Sequence, residues 1–123
     1  MTENYIDHFF YHVLPNLKIA VIGDIMVDRY IFGKVERISP EAPVPVNKVD
    51  HMTSVLGGAA NVASNLANLD CQVLLGGLIG DDENADLLHE LLTESHIDGT
   101  GLVVRKDHAT TTKMRIDRKS TRL

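Results

Sequence analysis

The sequence predicts an α/β fold: a mostly parallel sheet flanked by helices, with a small β-lid. Three observations predict it. Short apolar runs ending in glycine, residues 18–23 and 72–80, alternate with helix-period segments, the order that builds parallel sheets. A proline-bearing ribbon, residues 37–46, interrupts that alternation. Its three prolines, Pro40, Pro43 and Pro45, each lack a ladder donor, so the ribbon belongs to an edge or flap. Finally, a glycine pair, Gly57-Gly58, leads directly into a small-residue helix. Glycine permits a sharp turn and a close ligand approach, because no Cβ stands in the way.

Composition narrows the class. The chain has 123 residues, enough for one domain or part of a larger one. A formal net charge of −5 argues against a nucleic-acid surface. The single cysteine, Cys71, has no partner for an internal disulfide and no metal-ligand spacing around it, which points to a reducing cytoplasm. No apolar stretch is long enough to span a membrane. Glu3, Asp7 and His8 stand where a signal peptide needs a basic start and a clean apolar run.

The elements follow in order. Ile6, Phe9, Phe10, Val13 and Leu14 recur at three- and four-residue steps, predicting a short amphipathic helix that ends at Pro15. His8 and His12 lie one turn apart on it; a solvated face is favoured over a metal pair, because no third ligand is in view. Residues 18–23 read as a buried first strand of a parallel sheet. Residues 30–33 and 44–49 have strand character and flank the ribbon. A helix from Ala59 to about Leu69 sets Val62, Leu66 and Leu69 on one face and Asn61, Asn65 and Asn68 on another. Residues 72–80 read as the next buried strand. Asp81, Asp82 and Glu83 open a helix with Leu87, Leu88, Leu91 and Leu92 inward; Asp82 and Glu83 are assigned to charge compensation at its first turn. Residues 101–105 and 110–116 are strands, the second alternating Thr111, Lys113 and Arg115 against Thr110, Thr112, Met114 and Ile116.

Candidate site residues gather where strands end, because ligands bind there in open α/β sheets. Asp24 and Asp28 follow the first strand at a spacing of four. A carboxylate there accepts two sugar hydroxyls at once, or else caps a turn (Asp24) or pairs with Arg29 at the surface (Asp28). Gly57, Gly58 and Asn61 offer backbone N–H groups and a side-chain amide at a helix start, which suits a polyhydroxylated ligand; the plainer alternative is a tight strand-to-helix turn. Lys113 and Arg115 share a strand face and could hold a phosphate or simply face solvent.

Four stretches then appear in a telling order: Val21-Ile-Gly-Asp-Ile-Met-Val-Asp-Arg-Tyr30, Arg37-Ile-Ser-Pro-Glu-Ala-Pro-Val-Pro-Val46, Gly57-Gly-Ala-Ala-Asn-Val-Ala63 and Gly80-Asp-Asp82. Together they resemble the ribokinase-like (PfkB) carbohydrate kinases over roughly residues 18–116. Within that family, the Asp-Arg-Tyr and Ser-Pro-Glu-Ala-Pro-Val-Pro stretches are similar to the heptose 7-phosphate kinases, in some organisms fused to a C-terminal adenylyltransferase.

The resemblance implies ATP-dependent phosphorylation of D-glycero-D-manno-heptose 7-phosphate at O1, giving the 1,7-bisphosphate for ADP-heptose and lipopolysaccharide-core synthesis in the cytoplasm. It implies that Asp28, Gly57, Gly58 and Asn61 bind sugar hydroxyls, and that residues 29–50 or so form a lid that makes a homodimer contact. Met26 stands where several pentose kinases carry a polar sugar-binding residue, which counts against plain ribokinase specificity. A sugar phosphate also needs cations, and Arg29, Arg37, Lys113 and Arg115 are the candidates. ATP and Mg2+ are expected, with their site mostly outside this chain, as is the family's catalytic Gly-Ala-Gly-Asp type motif. The expected reading of residues 1–116 is therefore the N-terminal part of a sugar-kinase domain, inactive alone. Residues 117–123 read as translated sequencing adapter. The alternatives are another sugar kinase of the family, such as a ribokinase or fructokinase, or a non-catalytic sugar-binding or dimerisation module. Neither nucleic acid nor membrane is an expected partner.

Overall fold

The structure is a computed structural model that describes residues 4–38 and 45–120. It contains two three-stranded sheets. The central one has the order β1-β4-β5 and is wholly parallel: β1 (Lys18–Ile22), β4 (Gln72–Ile79) and β5 (Asp98–Val104). The second has the order β3-β2-β6: β2 (Ile25–Ile38) runs antiparallel to β3 (Pro45–Gly58) and parallel to β6 (Thr111–Ser120). Helix α2 (Ala59–Asn68) links β3 of the second sheet to β4 of the first, and α3 (Glu83–Glu94) links β4 to β5 within the first. The long β2–β3 ribbon is the expected lid; its centre, residues 39–44 with Pro40 and Pro43, lies outside the described residues.

The core forms where the central sheet, both helices and the base of the ribbon meet. Leu75, Ile79, Leu88 and Val27 are its largest fully enclosed side chains. Leu88 and Leu92 of α3 point inward as the spacing predicts, with Leu87 and Leu91 packed at the margin. Two expectations are corrected. The strands at 18–23 and 72–80 are covered on one face rather than two: Ile22 is 81% exposed, and Leu74 and Leu78 are also exposed. Among the described residues, both helices lie on the side of Val73, Leu75 and Ile79, so the alternate positions meet solvent. Helix α2 packs through its alanines, burying Ala60 and Ala63 completely and leaving Val62 and Leu69 exposed. Alanine lets its backbone approach the sheet more closely than a branched face would. The second correction is the N-terminal helix. It runs as one α-turn (α1, Tyr5–His8), a π-segment (Phe9–Val13) and a 3-10 turn (Leu14–Asn16), so its apolar residues lose a common face. Only Leu14 is buried, while Ile6, Phe9 and Phe10 are exposed.

Both helices stop in the same way. After α2, the N–H of Cys71 donates to Leu66 and that of Asp70 to Ala67; after α3, Ile97 donates to Leu92 and His96 to Thr93. These are Schellman motifs, with Asp70 (φ 68°) and His96 (φ 57°) in the left-handed position that glycine usually takes. Each turns the chain straight into the next parallel strand.

Candidate functional site

The strand-to-helix turn at Gly57-Gly58 is built around two contacts. Gly58 has φ 59° and ψ −132°, a conformation for which glycine is suited. A Cβ there would collide with the Asp24 carbonyl oxygen, which accepts the Ala59 N–H at 2.7 Å. A Cβ on Gly57 would lie 2.7 Å from Asp28 Oδ2 and 2.8 Å from Met26 Cγ. The glycine is thus the floor on which the Asp28 carboxylate rests.

Asp28 itself is half-buried on β2, and its Oδ1 is fully enclosed with no hydrogen-bond partner among the described residues. A carboxylate oxygen shut off from water and left unpaired costs stability unless something else bonds it. Asn61 follows three residues after Gly58, in the first turn of α2, with its side chain exposed. Asp28 thus lies against Gly57, and Asn61 stands three residues beyond Gly58.

Strand pairing sorts the candidate cations. Alternation along β2 sends Met26, Asp28 and Tyr30 to one face and Ile25, Val27 and Arg29 to the other. Lys113 pairs with Asp28 and Arg115 with Tyr30, so both cations stand on the Asp28 face. The Arg115 guanidinium carbon is 6.0 Å from the centre of the Tyr30 ring, at the limit of a cation–π contact. Among the described residues, no carboxylate pairs with Lys113 or Arg115. Arg29 is separated from this group: it lies across the sheet, and its Nη2 donates to Asn84 Oδ1 at 2.6 Å. Arg37 falls on the outer part of β2, opposite Val46, where only the backbone course is described. Asp24 contributes its carbonyl to the turn, and its side chain is exposed.

Sequence reasoning missed a polar junction beside this site. Asp82, expected as a charge at the first turn of α3, is its N-cap, with Oδ1 accepting from the Ala85 N–H. Its Oδ2 also accepts the N–H of Thr110, one residue before β6, at 2.9 Å. That backbone bond is the main reason its carboxyl is held below the usual carboxylate range, with further lowering from Ala85. Thr110 is buried, and its Oγ1 accepts the N–H of Gly80 at 2.9 Å. The acidic run was a fair signal for the cap. Nothing local signals a contact 28 residues away.

The arrangement sets one carboxylate (Asp28), resting on Gly57, and two cations (Lys113, Arg115) on one sheet face, with Gly58 and Asn61 leading into α2 beside them. It offers no metal centre: among the described residues, no cluster of His, Cys, Asp or Glu is arranged to hold an ion. Nor, among them, is any helix long and apolar enough to cross a membrane.

Residues 16–122 match the pfkB family of carbohydrate kinases. The chain is 50% identical over 103 residues to the D-beta-D-heptose 7-phosphate kinase of Bordetella bronchiseptica, covering 84% of this chain and 33% of that protein. It is 48% identical over 99 residues to the bifunctional protein HldE of Helicobacter pylori, covering 80% of this chain and 22% of that protein. Among solved structures, a carbohydrate kinase from Agrobacterium tumefaciens superposes with a TM-score of 0.65 at 25% identity, covering 83% of this chain and 32% of that one. A fructokinase from Halothermothrix orenii superposes with a TM-score of 0.55 at 29% identity, covering 86% and 35%. The chain thus spans about a fifth to a third of the length of the relatives it matches.

Proposed function

The chain belongs to the pfkB family of carbohydrate kinases, and from that premise we propose that it supplies the acceptor side of a heptose 7-phosphate kinase. The reaction is ATP-dependent phosphorylation of D-glycero-D-manno-heptose 7-phosphate at O1, in the cytoplasm. The observation that carries this reading is the enclosed, unpaired Oδ1 of Asp28 above Gly57, with Lys113 beside it in register. A sugar hydroxyl satisfies the carboxylate, and a phosphate on the same molecule answers the unpaired cations. The relative named a heptose 7-phosphate kinase, at 50% identity, supports the same acceptor.

Each group has a role. Asp28 accepts hydroxyl hydrogens and orients the sugar. Gly57 and Gly58 let it approach the backbone, and Asn61 adds an amide from the first turn of α2. Lys113 and Arg115 take the 7-phosphate, with Arg37 a further candidate from the outer ribbon. ATP supplies the phosphoryl group and Mg2+ is its expected counter-ion. Their site is expected mostly outside this chain, so the described residues are assigned to the acceptor and to no step at the nucleotide. Holding the acceptor still is itself a large part of phosphoryl transfer, which depends on positioning more than on covalent chemistry. Beyond the site, exposed Met52 of β3 and exposed Met114 and Ile116 of β6 share the face of this sheet away from Asp28. That patch supports a homodimer contact through the lid.

The test is to express the gene at the length of its relatives and measure ATP consumption with heptose 7-phosphate, ribose and fructose. Selective turnover of the heptose phosphate is expected. Turnover of the unphosphorylated sugars instead overturns the acceptor assignment. A folded protein that turns over none of them makes the chain a binding module.

A further inference from the structure

We propose that Arg29 is a positioning residue, which with Asn84 and Thr110 fastens both strands of the acceptor site to one turn at the start of α3. Arg29 and Asp28 are neighbours in sequence but face opposite sides of β2. The Arg29 guanidinium reaches Asn84, the second residue of α3, through a 2.6 Å bond in a partly buried setting. Its Nε is enclosed without a partner, and no carboxylate pairs with it among the described residues. The Asn84 amide oxygen is therefore the acceptor that holds this half-buried cation, and with it the segment of β2 that carries Asp28.

The second strand is tied to the same turn. Asp82, the cap of α3, accepts the Thr110 N–H, and the Thr110 hydroxyl accepts the Gly80 N–H. A Cβ on Gly80 would collide with the His108 carbonyl oxygen, so the two segments are in direct contact. From Thr110 the chain enters β6, and three residues on, Lys113 stands opposite Asp28. One short stretch, residues 80–85, is thus bonded to β2 through Asn84 and to β6 through Asp82, without lining the site. A shift of about 1 Å in a positioning group can cost on the order of 100-fold in rate, so such a fastening has functional weight.

This inference rests on the proposed acceptor role for its kinetic readout, so the experiment includes one measurement that does not. In the protein at its relatives' length, Arg29→Met, Asn84→Leu, the double variant and Asn84→Asp are compared. Both single variants should lower kcat/KM about 10-fold for phosphorylated and unphosphorylated sugar alike, and the double variant should fall no further, as expected for partners in one interaction. Asn84→Asp, which keeps an acceptor for the guanidinium, should stay within about 2-fold of the parent. If Arg29→Met changes only the preference for the phosphorylated sugar while Asn84→Leu is silent, Arg29 is a phosphate contact and the inference fails. If thermal stability falls in both variants while kcat/KM is unchanged, the role is merely structural and the inference fails again. Should the parent turn over no sugar phosphate, the functional reading is lost, and amide hydrogen exchange decides the rest. Exchange at 26–30 and 111–115 should quicken about 10-fold in both single variants; unchanged exchange overturns the fastening.

Discussion

The two ends of the central sheet make opposite use of polar groups. At the end where β1 finishes, the chain passes into β2 and the glycine turn, and there Asp28 Oδ1 is sealed from water with nothing bonded to it among the described residues. At the end where β1, β4 and β5 begin, a cavity of about 890 Å³ opens among Lys18, Asp70, Gln72, His96 and Asp98. All five of those residues are exposed. Water can supply every partner they need, so their presence in a hollow implies no ligand. The comparison teaches that volume marks where packing stops, whereas a desolvated, unpaired carboxylate marks where a ligand belongs.

The sharpest way to break that comparison is at the glycine pair. Gly58→Ala puts a Cβ against the Asp24 carbonyl in a backbone conformation that L side chains rarely adopt. It should destabilise the fold by about 3 kcal/mol or more, read from chemical denaturation. Gly57→Ala is subtler. Its Cβ would stand 2.7 Å from Asp28 Oδ2, so the carboxylate must move. In the protein at its relatives' length, the proposed turnover of heptose 7-phosphate should fall about 100-fold with a smaller stability loss. Gln72→Ala, in the cavity at the other end, should leave turnover within about 2-fold, because an exposed surface substitution away from special features usually changes little. Equal losses at both ends would erase the distinction.

These contrasts also show what the sequence reveals. Element order, the lid ribbon and the tight turn at Gly57-Gly58 are legible, because proline, glycine and hydrophobic period act locally. The cap at Asp82 is legible for the same reason. One-sided burial of β1 and β4 is not, since an apolar run looks alike whether one face or two are covered. The placement of Arg29 is a different failure. Adjacent residues on a strand must diverge, so grouping Arg29 with Lys113 as phosphate ligands conflicts with having Asp28 in the site. The pairing of β6 with β2, and the meeting of Arg29 with Asn84 across 55 residues, are long-range facts without a local signature.

A mid-sized test lies at the junction beside the site. Thr110→Val keeps the shape but removes the hydroxyl that accepts the Gly80 N–H in a buried setting. An unsatisfied buried donor costs about 1–3 kcal/mol. The protein should lose that much in denaturant titrations, with no matching loss for the exposed Thr100→Val.

Acidity offers a smaller contrast. Asp82, near the site, is held below the ordinary carboxylate range chiefly by the Thr110 N–H; Asp98, at the cavity end, chiefly by the Thr100 N–H. A depressed folded value means that the carboxylate contributes stability above the unfolded pKa, near 4, and loses it as pH falls through the folded value. Denaturation midpoints measured from pH 5 downward should therefore decline. Asp82→Asn should make that decline shallower, and Asp98→Asn should do so too. A pH profile untouched by either substitution would remove these carboxylates from the acid response.

The smallest expected effect comes from the two left-handed helix stops. An ordinary L-residue in that conformation costs about 1–2 kcal/mol, and Asp or Asn less, because a short polar side chain can bond locally. Replacing such a residue with glycine removes the strain, but glycine loses about 0.5–1 kcal/mol more entropy on folding. For His96, at φ 57°, the difference favours glycine, so His96→Gly should stabilise by about 0.5 kcal/mol. For Asp70, at φ 68°, the two terms nearly cancel, and Asp70→Gly should be close to neutral. Both residues line the cavity at the start of the strands. If that cavity holds only solvent, His96→Gly raises stability and leaves turnover of the sugar phosphate unchanged. A gain in stability coupled to lost turnover would instead give the cavity a part in function and undo the contrast between the two ends.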